Sequence, residues 1–318
     1  MAGGLTIKEI DRTEPPQVGW LRRVFLNVRY VLELIRFSHT VFALPFAFLS
    51  AGMAIRLSVA EAQGWLPPWR HLLGILLCMV FARSAAMAFN RLADRHFDSL
   101  NPRTAGRHLP RGILSVRTVA LFTAACGLGF VASTLLFLPE NPIPVYASLP
   151  VLAYLLGYSY TKRFTVLSHW WLGGALGLAP LGAWVALRAE IAPAAVILGL
   201  AVLFWVAGFD IIYACQDIDF DRTYGLKSLP AKLGAEQALR VAAGCHLVMI
   251  LVLAILPLLY RPFGIVYYIG LGVIAVILWI EHRLVRPDDL TRVNQAFFHA
   301  NAVVSVGLFL IGLADLLA

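Results

Sequence analysis

Asn90-Arg91-Leu92-Ala93-Asp94-Arg95-His96-Phe97-Asp98 closes the apolar run 70–93. In a helix, Asn90, Asp94 and Asp98 recur every four residues and project from one face, stacked a turn apart. Three oxygen donors therefore form a ledge where an apolar helix ends. Placing a carboxylate near a bilayer costs a few kcal/mol, so two beside such a helix imply a cavity or a bound cation. The pattern returns as Asp217-Ile218-Asp219-Phe220-Asp221, with Asp217 and Asp221 four apart and again ending an apolar run. Two acidic ledges facing one place are expected, with Asp219 pointing away from the second.

The rest of the chain supplies the setting. It has 318 residues, of which 60% are hydrophobic and 14% charged, against about 25% charged in soluble domains. The expected class is an all-α polytopic membrane protein, because the apolar stretches suit helices of about 20 residues and the alternation of a membrane barrel is absent. Nine spans are expected, at roughly 35–57, 70–93, 116–138, 142–161, 166–188, 192–216, 237–259, 263–281 and 294–317. They would form one bundle around a central cavity, as a single domain over 35–318 preceded by an arm, 1–34, that ends in an amphipathic surface helix. Both acid motifs close even-numbered spans, which suggests two equivalent halves, about 35–161 and 166–318, with the site between them.

The net charge of +8 belongs to the loops and calls for no nucleic acid. Arg56, Arg70, Arg188 and Arg261 lie on one side of the expected spans and Arg83 within one, whereas the remaining Lys and Arg lie on the other side. By the positive-inside rule, the N-terminus and both acid motifs face the cytoplasm, the cavity opens there, and the C-terminus lies opposite. Residues 1–20 lack the apolar core and cleavage site of a signal peptide, so the chain is expected to be retained whole in a bacterial-type inner membrane. Cys78, Cys126, Cys215 and Cys245 fall within spans without Cys-x-x-Cys spacing and read as small buried residues. Gly173, Gly174, Gly177 and Gly182 in the fifth span read as close-packing positions.

Mg2+ prefers oxygen donors and is commonly held by one or two carboxylates together with substrate phosphates. Arginines follow the first ledge, and Arg offers paired donors to phosphate oxygens. Two carboxylate ledges, basic residues and a membrane setting thus suggest a lipid diphosphate held through Mg2+. Its departure would leave an allylic cation that an apolar cavity can shield from water. There is no Gly-rich phosphate loop, which argues against an ATPase.

Asn90-x-x-x-Asp94-x-x-x-Asp98, Asp210-x-x-Tyr213-Ala214-x-x-Asp217-x-x-x-Asp221 and Tyr158-x-x-x-Lys162 resemble the motifs of the UbiA superfamily of intramembrane aromatic prenyltransferases. The resemblance covers nearly the whole chain. It implies that Asn90, Asp94, Asp98, Asp217 and Asp221 bind two Mg2+ ions and, through them, a polyprenyl diphosphate. Lys162 beside Tyr158, together with Arg95, Arg103 and Lys227, would contact the diphosphate, and Asp210 and Tyr213 would lie near the reacting centre. Arg83 has two readings, a contact to the acceptor's carboxylate or an ion pair with Asp210. The stretches Arg83–Asn90 and Gly225–Pro230 look most like the bacterial 4-hydroxybenzoate polyprenyltransferase-like group. The implied partners are a polyprenyl diphosphate, a small aromatic acid and the bilayer, with no obligate protein partner. The acceptor would be 4-hydroxybenzoate in ubiquinone biosynthesis or a dihydroxynaphthoate in menaquinone biosynthesis.

A cation-coupled transporter is the competing class. It requires ionisable residues near the bilayer midplane, whereas these acids stand mainly at span ends beside arginines. The last three spans read as a structural wall, apart from His246, His299 and Asp315.

Overall fold

The computed structural model describes residues 29–30, 33–34, 43–61, 66–293 and 300–317. Most of the expected N-terminal arm and surface helix, the start of the first span, and Asn294 and His299 lie outside these residues. Twelve helices follow in order among the described residues. They are α1 (Leu44–Glu61), α2 (Trp69–Ala93), α3 (Arg95–Leu100), α4 (Val116–Thr134), α5 (Ile143–Thr161), α6 (Ser168–Arg188), α7 (Pro193–Ala214), α8 (Ile218–Thr223), α9 (Leu229–Leu233), α10 (Ala235–Leu259), α11 (Ile265–Leu284) and α12 (Asn301–Leu317).

Seven of the helical segments described are long and apolar enough to cross a membrane. The nine-span expectation includes two more, α5 with two prolines, Pro144 and Pro150, and α12 with only 17 described residues. The protein is a multi-pass membrane protein. Exposed apolar stripes suited to lipid run along single helices. On α10, Leu247, Leu251, Ile255 and Leu258 are exposed, while Ala242, Cys245, Met249, Leu253 and Leu256 are buried. That division follows the 3.6-residue period, with one face toward lipid and one toward the bundle.

At the centre is α7, between α6 and α10, and its side chains from Leu198 to Ile212 are mostly buried. Close approach to α6 needs glycine. A Cβ on Gly173 would overlap the Leu203 carbonyl, and one on Gly177 would stand 2.6 Å from the Gly199 carbonyl oxygen. Between helices in lipid, where hydrophobicity gives little drive, such backbone approach supplies the packing. Gly173→Leu is therefore expected to prevent accumulation of folded protein, checked by the monodisperse fraction recovered in mild detergent. The outer helices close around this pair: α1 packs on α6 and α12, α12 on α11, and α11 on α10. Ser50 donates to the Pro180 carbonyl at 2.6 Å, which ties α1 to α6.

Capping places several helix ends. Ser115 accepts from the Thr118 amide at the start of α4, and Ser228 from the Ala231 amide at the start of α9. Pro193 occupies the first position of α7, where a missing N–H costs nothing. Ala189 ends α6 with φ 54°, in the left-handed region.

The last helices also carry buried polar groups. Glu281 on α11 is buried with neither carboxylate oxygen hydrogen-bonded, 3.8 Å from the Nδ1 of His246, which in turn is 2.9 Å from His282 Nε2. Glu281 was placed at the very edge of its expected span, but α11 continues to Leu284, so the carboxyl lies inside the helix.

Candidate active site

Both acid ledges stand where long helices break. α2 ends at Ala93, and Asp94 has φ −94° and ψ 5° before α3 begins. The Asp94 amide still reaches the Asn90 carbonyl at 2.9 Å, and the Asp98 amide reaches the Asp94 carbonyl at 2.8 Å. One-turn spacing thus survives the break, and Asn90 Nδ2 donates to Asp94 Oδ2 at 2.9 Å. The second ledge tightens differently. α7 gives way to a 3-10 turn, Cys215–Asp217, before α8 carries Asp221. Asp219 faces outward and is exposed.

Each of the four motif carboxylates faces a base. Asp94 meets Arg163 at 3.4 Å, Asp98 meets Arg107 at 2.6 Å, and Asp221 meets Lys162 at 3.9 Å. Asp217 is held most completely: Arg103 Nε donates to Oδ1 at 2.9 Å, its Nη2 to Oδ2, and Asn101 Nδ2 to Oδ1 at 3.0 Å. The same guanidinium lies 5.1 Å from the Tyr213 ring centre and donates to its hydroxyl at 2.8 Å. Fork-to-carboxylate pairing is the geometry that Arg would also offer a diphosphate. Burial, then the neighbouring Asp98 charge, raises the pKa of Asp94, against the pull of Arg163 and Lys162.

These groups surround the mouth of one cavity of about 710 Å³. Asn90, Asp94, Asp98, Arg103, Tyr158, Lys162, Asp210, Tyr213, Asp217 and Asp221 line it, with Arg83 further along α2. Its wall continues through Met79 and Ile75, Val151 and Ala147, and Ala179 and Gly182, to Ile143 and Ile191. From Asp94 to Ile75 along the helix is about 28 Å at 1.5 Å per residue, close to the thickness of a hydrocarbon core. A largely apolar cavity of membrane depth is the result, with the acids and bases gathered at one end and Glu190 beside Ile191 at the other.

Two expected contacts are not brought to that mouth. Arg95 turns back to the Leu92 carbonyl at 2.9 Å, and Lys227 reaches the Phe164 carbonyl at 3.4 Å; neither lines the cavity. Arg95 follows Asp94 directly, so a helix aims it at another face, and the Lys227 amide is bound to the Lys162 carbonyl at 2.6 Å in a loop that turns its side chain away. The Arg83–Asp210 ion pair is also not formed. Asp210 Oδ2 is instead 2.7 Å from His169 Nδ1, and Arg83 keeps its Nε buried without a hydrogen-bond partner at the cavity wall. Arg107, Arg163, Asn101 and His169 are the residues that spacing did not single out. They approach the acids from other loops and helices; the arginine-rich run after Asp98 and, for Arg163, its place beside Lys162 were the signals.

For a metal, the decisive observation is the pair of buried oxygens that no hydrogen bond satisfies, Asp98 Oδ2 and Asp221 Oδ2, the second facing Lys162 Nζ at 3.9 Å. Among the described residues no three His, Cys, Asp or Glu side chains converge into a closed metal shell. An open set of one or two carboxylates per ion suits Mg2+, which completes its octahedron with water and phosphate oxygens. The residues present fit such an ion.

Comparison with known proteins agrees with this geometry. Residues 44–302 match the profile of the UbiA prenyltransferase family. The 4-hydroxybenzoate octaprenyltransferase of Nitrosomonas eutropha is 32% identical over 238 residues, covering 74% of this chain and 82% of the relative. That of Nitrosospira multiformis is 34% identical over 233 residues, with 73% and 78% covered. The apo structure of a UbiA homolog from Aeropyrum pernix superposes with a TM-score of 0.76 at 31% identity, over 87% of this chain and 98% of that one. A UbiA homolog from Archaeoglobus fulgidus bound to GPP and Mg2+ shares the fold, with a TM-score of 0.62 at 22% identity over 91% and 100% of the two chains. With its acid ledges at the mouth of a membrane-deep tunnel, the chain belongs to the UbiA prenyltransferase family.

Proposed function

We propose that this aromatic prenyltransferase moves a polyprenyl group from its diphosphate to a hydroxylated aromatic acid, 4-hydroxybenzoate, in respiratory quinone biosynthesis. The observation that carries the reading is the ring of four carboxylates, each facing a base, at the charged end of an apolar tunnel. The names of the relatives above support the acceptor, and the Mg2+ and GPP bound by the Archaeoglobus homolog support the donor.

In this reading Asn90, Asp94 and Asp98 on one side, and Asp217 and Asp221 on the other, hold two Mg2+ ions together with the diphosphate. Bound there, Mg2+ supplies charge neutralisation for the departing diphosphate. Arg103, Lys162, Arg107 and Arg163 already stand beside the acids and turn to the phosphate oxygens as the carboxylates are taken up by metal. The prenyl tail lies along the tunnel past Met79 and Gly182, where apolar walls keep water from the allylic cation. Arg83, with its unpartnered nitrogen at the cavity wall, receives the carboxylate of the acceptor. Asp210 and Tyr213 border the ring. Positive charge gathered at the motif end supports a cytoplasmic position for that end, and α5 and α12 would bring the crossings to nine. A transporter would need its acids at mid-depth; these stand at helix ends.

The test is prenyl transfer by membranes containing the protein, with labelled polyprenyl diphosphate, Mg2+ and either 4-hydroxybenzoate or a dihydroxynaphthoate. Label is expected on 4-hydroxybenzoate and is expected to vanish with EDTA and return with excess Mg2+. Label on the naphthoate alone would move the enzyme to menaquinone biosynthesis, and label on neither would remove the aromatic-acid reading.

A further inference from the structure

His169 on α6 is fully buried, and unlike its partner Asp210 it does not line the cavity. Its Nδ1 is 2.7 Å from Asp210 Oδ2, and its Nε2 is 3.3 Å from the backbone nitrogen of Leu229. A backbone amide can only donate, so Nε2 is the acceptor and the ring proton resides on Nδ1. The imidazole thereby accepts at Nε2 and donates from Nδ1 to the Asp210 carboxylate. Asp210 Oδ2 is tied back to α6, and Oδ1 makes no hydrogen bond among the described residues.

The other end of this link is also informative. Leu229 opens α9, which follows the second acid motif, and the Leu226 amide is bound to the Asp221 carbonyl at 2.8 Å. One buried ring therefore joins α6, α7 and the loop behind the second ledge. Prenylation of an aromatic ring leaves a proton to be removed. The C–O bond to the diphosphate breaks with its electron pair on the diphosphate. A π pair of the ring forms the new C–C bond, and the ring C–H bond returns its pair to the ring as the proton departs. A carboxylate oxygen in the wall, aimed by a bond behind it, suits that proton.

We propose that His169 is a positioning residue, which fixes Asp210 so that Oδ1 takes the proton lost by the aromatic acceptor. The proposal rests on the aromatic-acceptor reading above. Two substitutions separate the halves of the link. His169→Gln can still accept from the Leu229 amide but does not present a donor at the Nδ1 position. His169→Asn places its amide NH2 near that position and gives up the Leu229 bond.

In the membrane assay, with purified variants compared for melting temperature, His169→Gln is expected to lower kcat roughly a hundredfold, the loss that a misplacement of about 1 Å can cause, with KM for the prenyl diphosphate unchanged. His169→Asn is expected to recover about tenfold or more of that loss. Asp210→Asn combined with His169→Gln is expected to be no slower than Asp210→Asn alone, because both act on one carboxylate. Equal losses in the Gln and Asn variants, multiplied losses in the double variant, or a change confined to melting temperature and diphosphate KM would overturn the role of His169 while leaving the acceptor reading intact. A wild-type protein that prenylates no aromatic acid overturns both.

Discussion

Asp217→Ala is expected to lower prenyl transfer by about 10²- to 10³-fold, the range found when one preorganised charge-stabilising group is removed from an active site. Asp217 is 8% exposed and carries three donors, two from Arg103 and one from Asn101. Taking away the carboxylate removes a proposed metal ligand from the second ledge and also the group that orients Arg103 against Tyr213. Replacement by Asn keeps the volume and one acceptor oxygen but not the charge, so Asp217→Asn is expected to lose nearly as much. Asp219→Ala is the comparison. That side chain is exposed and faces off the ledge, and the variant is expected to stay within about twofold of wild type, as exposed substitutions away from a site commonly do. Initial rates at saturating diphosphate and varied Mg2+ decide the matter. An Asp217→Ala enzyme retaining more than about a tenth of the rate would mean that the second ledge does not carry the departing charge.

The second large effect concerns chain length. Gly182 lines the tunnel, and a Cβ built on it meets nothing within 4 Å, so its face of α6 opens on empty space. Gly173 and Gly177 on the same helix face the backbone of α7 instead. From Ser168 at the motif end of α6 to Gly182 is about 21 Å along the axis. A short tail anchored at the diphosphate stops before that depth, whereas a long one must pass it. Gly182→Phe therefore fills the passage without striking backbone, and replacing glycine inside a helix favours the helix by a few tenths to about 1 kcal/mol. The variant is expected to fold and to keep transfer from geranyl diphosphate. The ratio of octaprenyl to geranyl transfer is expected to fall by about tenfold or more, the discrimination a steric change of this size gives in an apolar pocket. An unchanged ratio would place the tail along another wall.

Several of these features were legible before any folding. Membrane class follows from composition, since stretches of about 20 apolar residues leave few alternatives. The two acid ledges follow from a spacing of four, because helical periodicity is a local property that needs no tertiary contact. The glycines at 173 and 177 announced a close helix approach, and the structure provides it against Leu203 and Gly199. Even the break at Asp94 leaves the ledge in register, since the turn there keeps bonds to the fourth preceding carbonyl.

Partner choice was not legible. Nothing in the spacing pairs Asp98 with Arg107 and Asp94 with Arg163, or gives Asp210 a histidine 41 residues earlier rather than Arg83. Arg95 and Lys227 looked equivalent to Arg103, yet the local path of the chain turns them from the cavity. Glu281 stood at an expected helix end, where a carboxylate is unremarked, until packing extended the helix and buried it. The sequence by itself determined that the chain forms long apolar helices and that the acid ledges stand at their ends, because both depend on side chains within a turn or two of one another. Which base meets which acid, and how deep the tunnel runs, was decided only by the tertiary structure. Those quantities depend on the distances between helices that lie far apart in the chain.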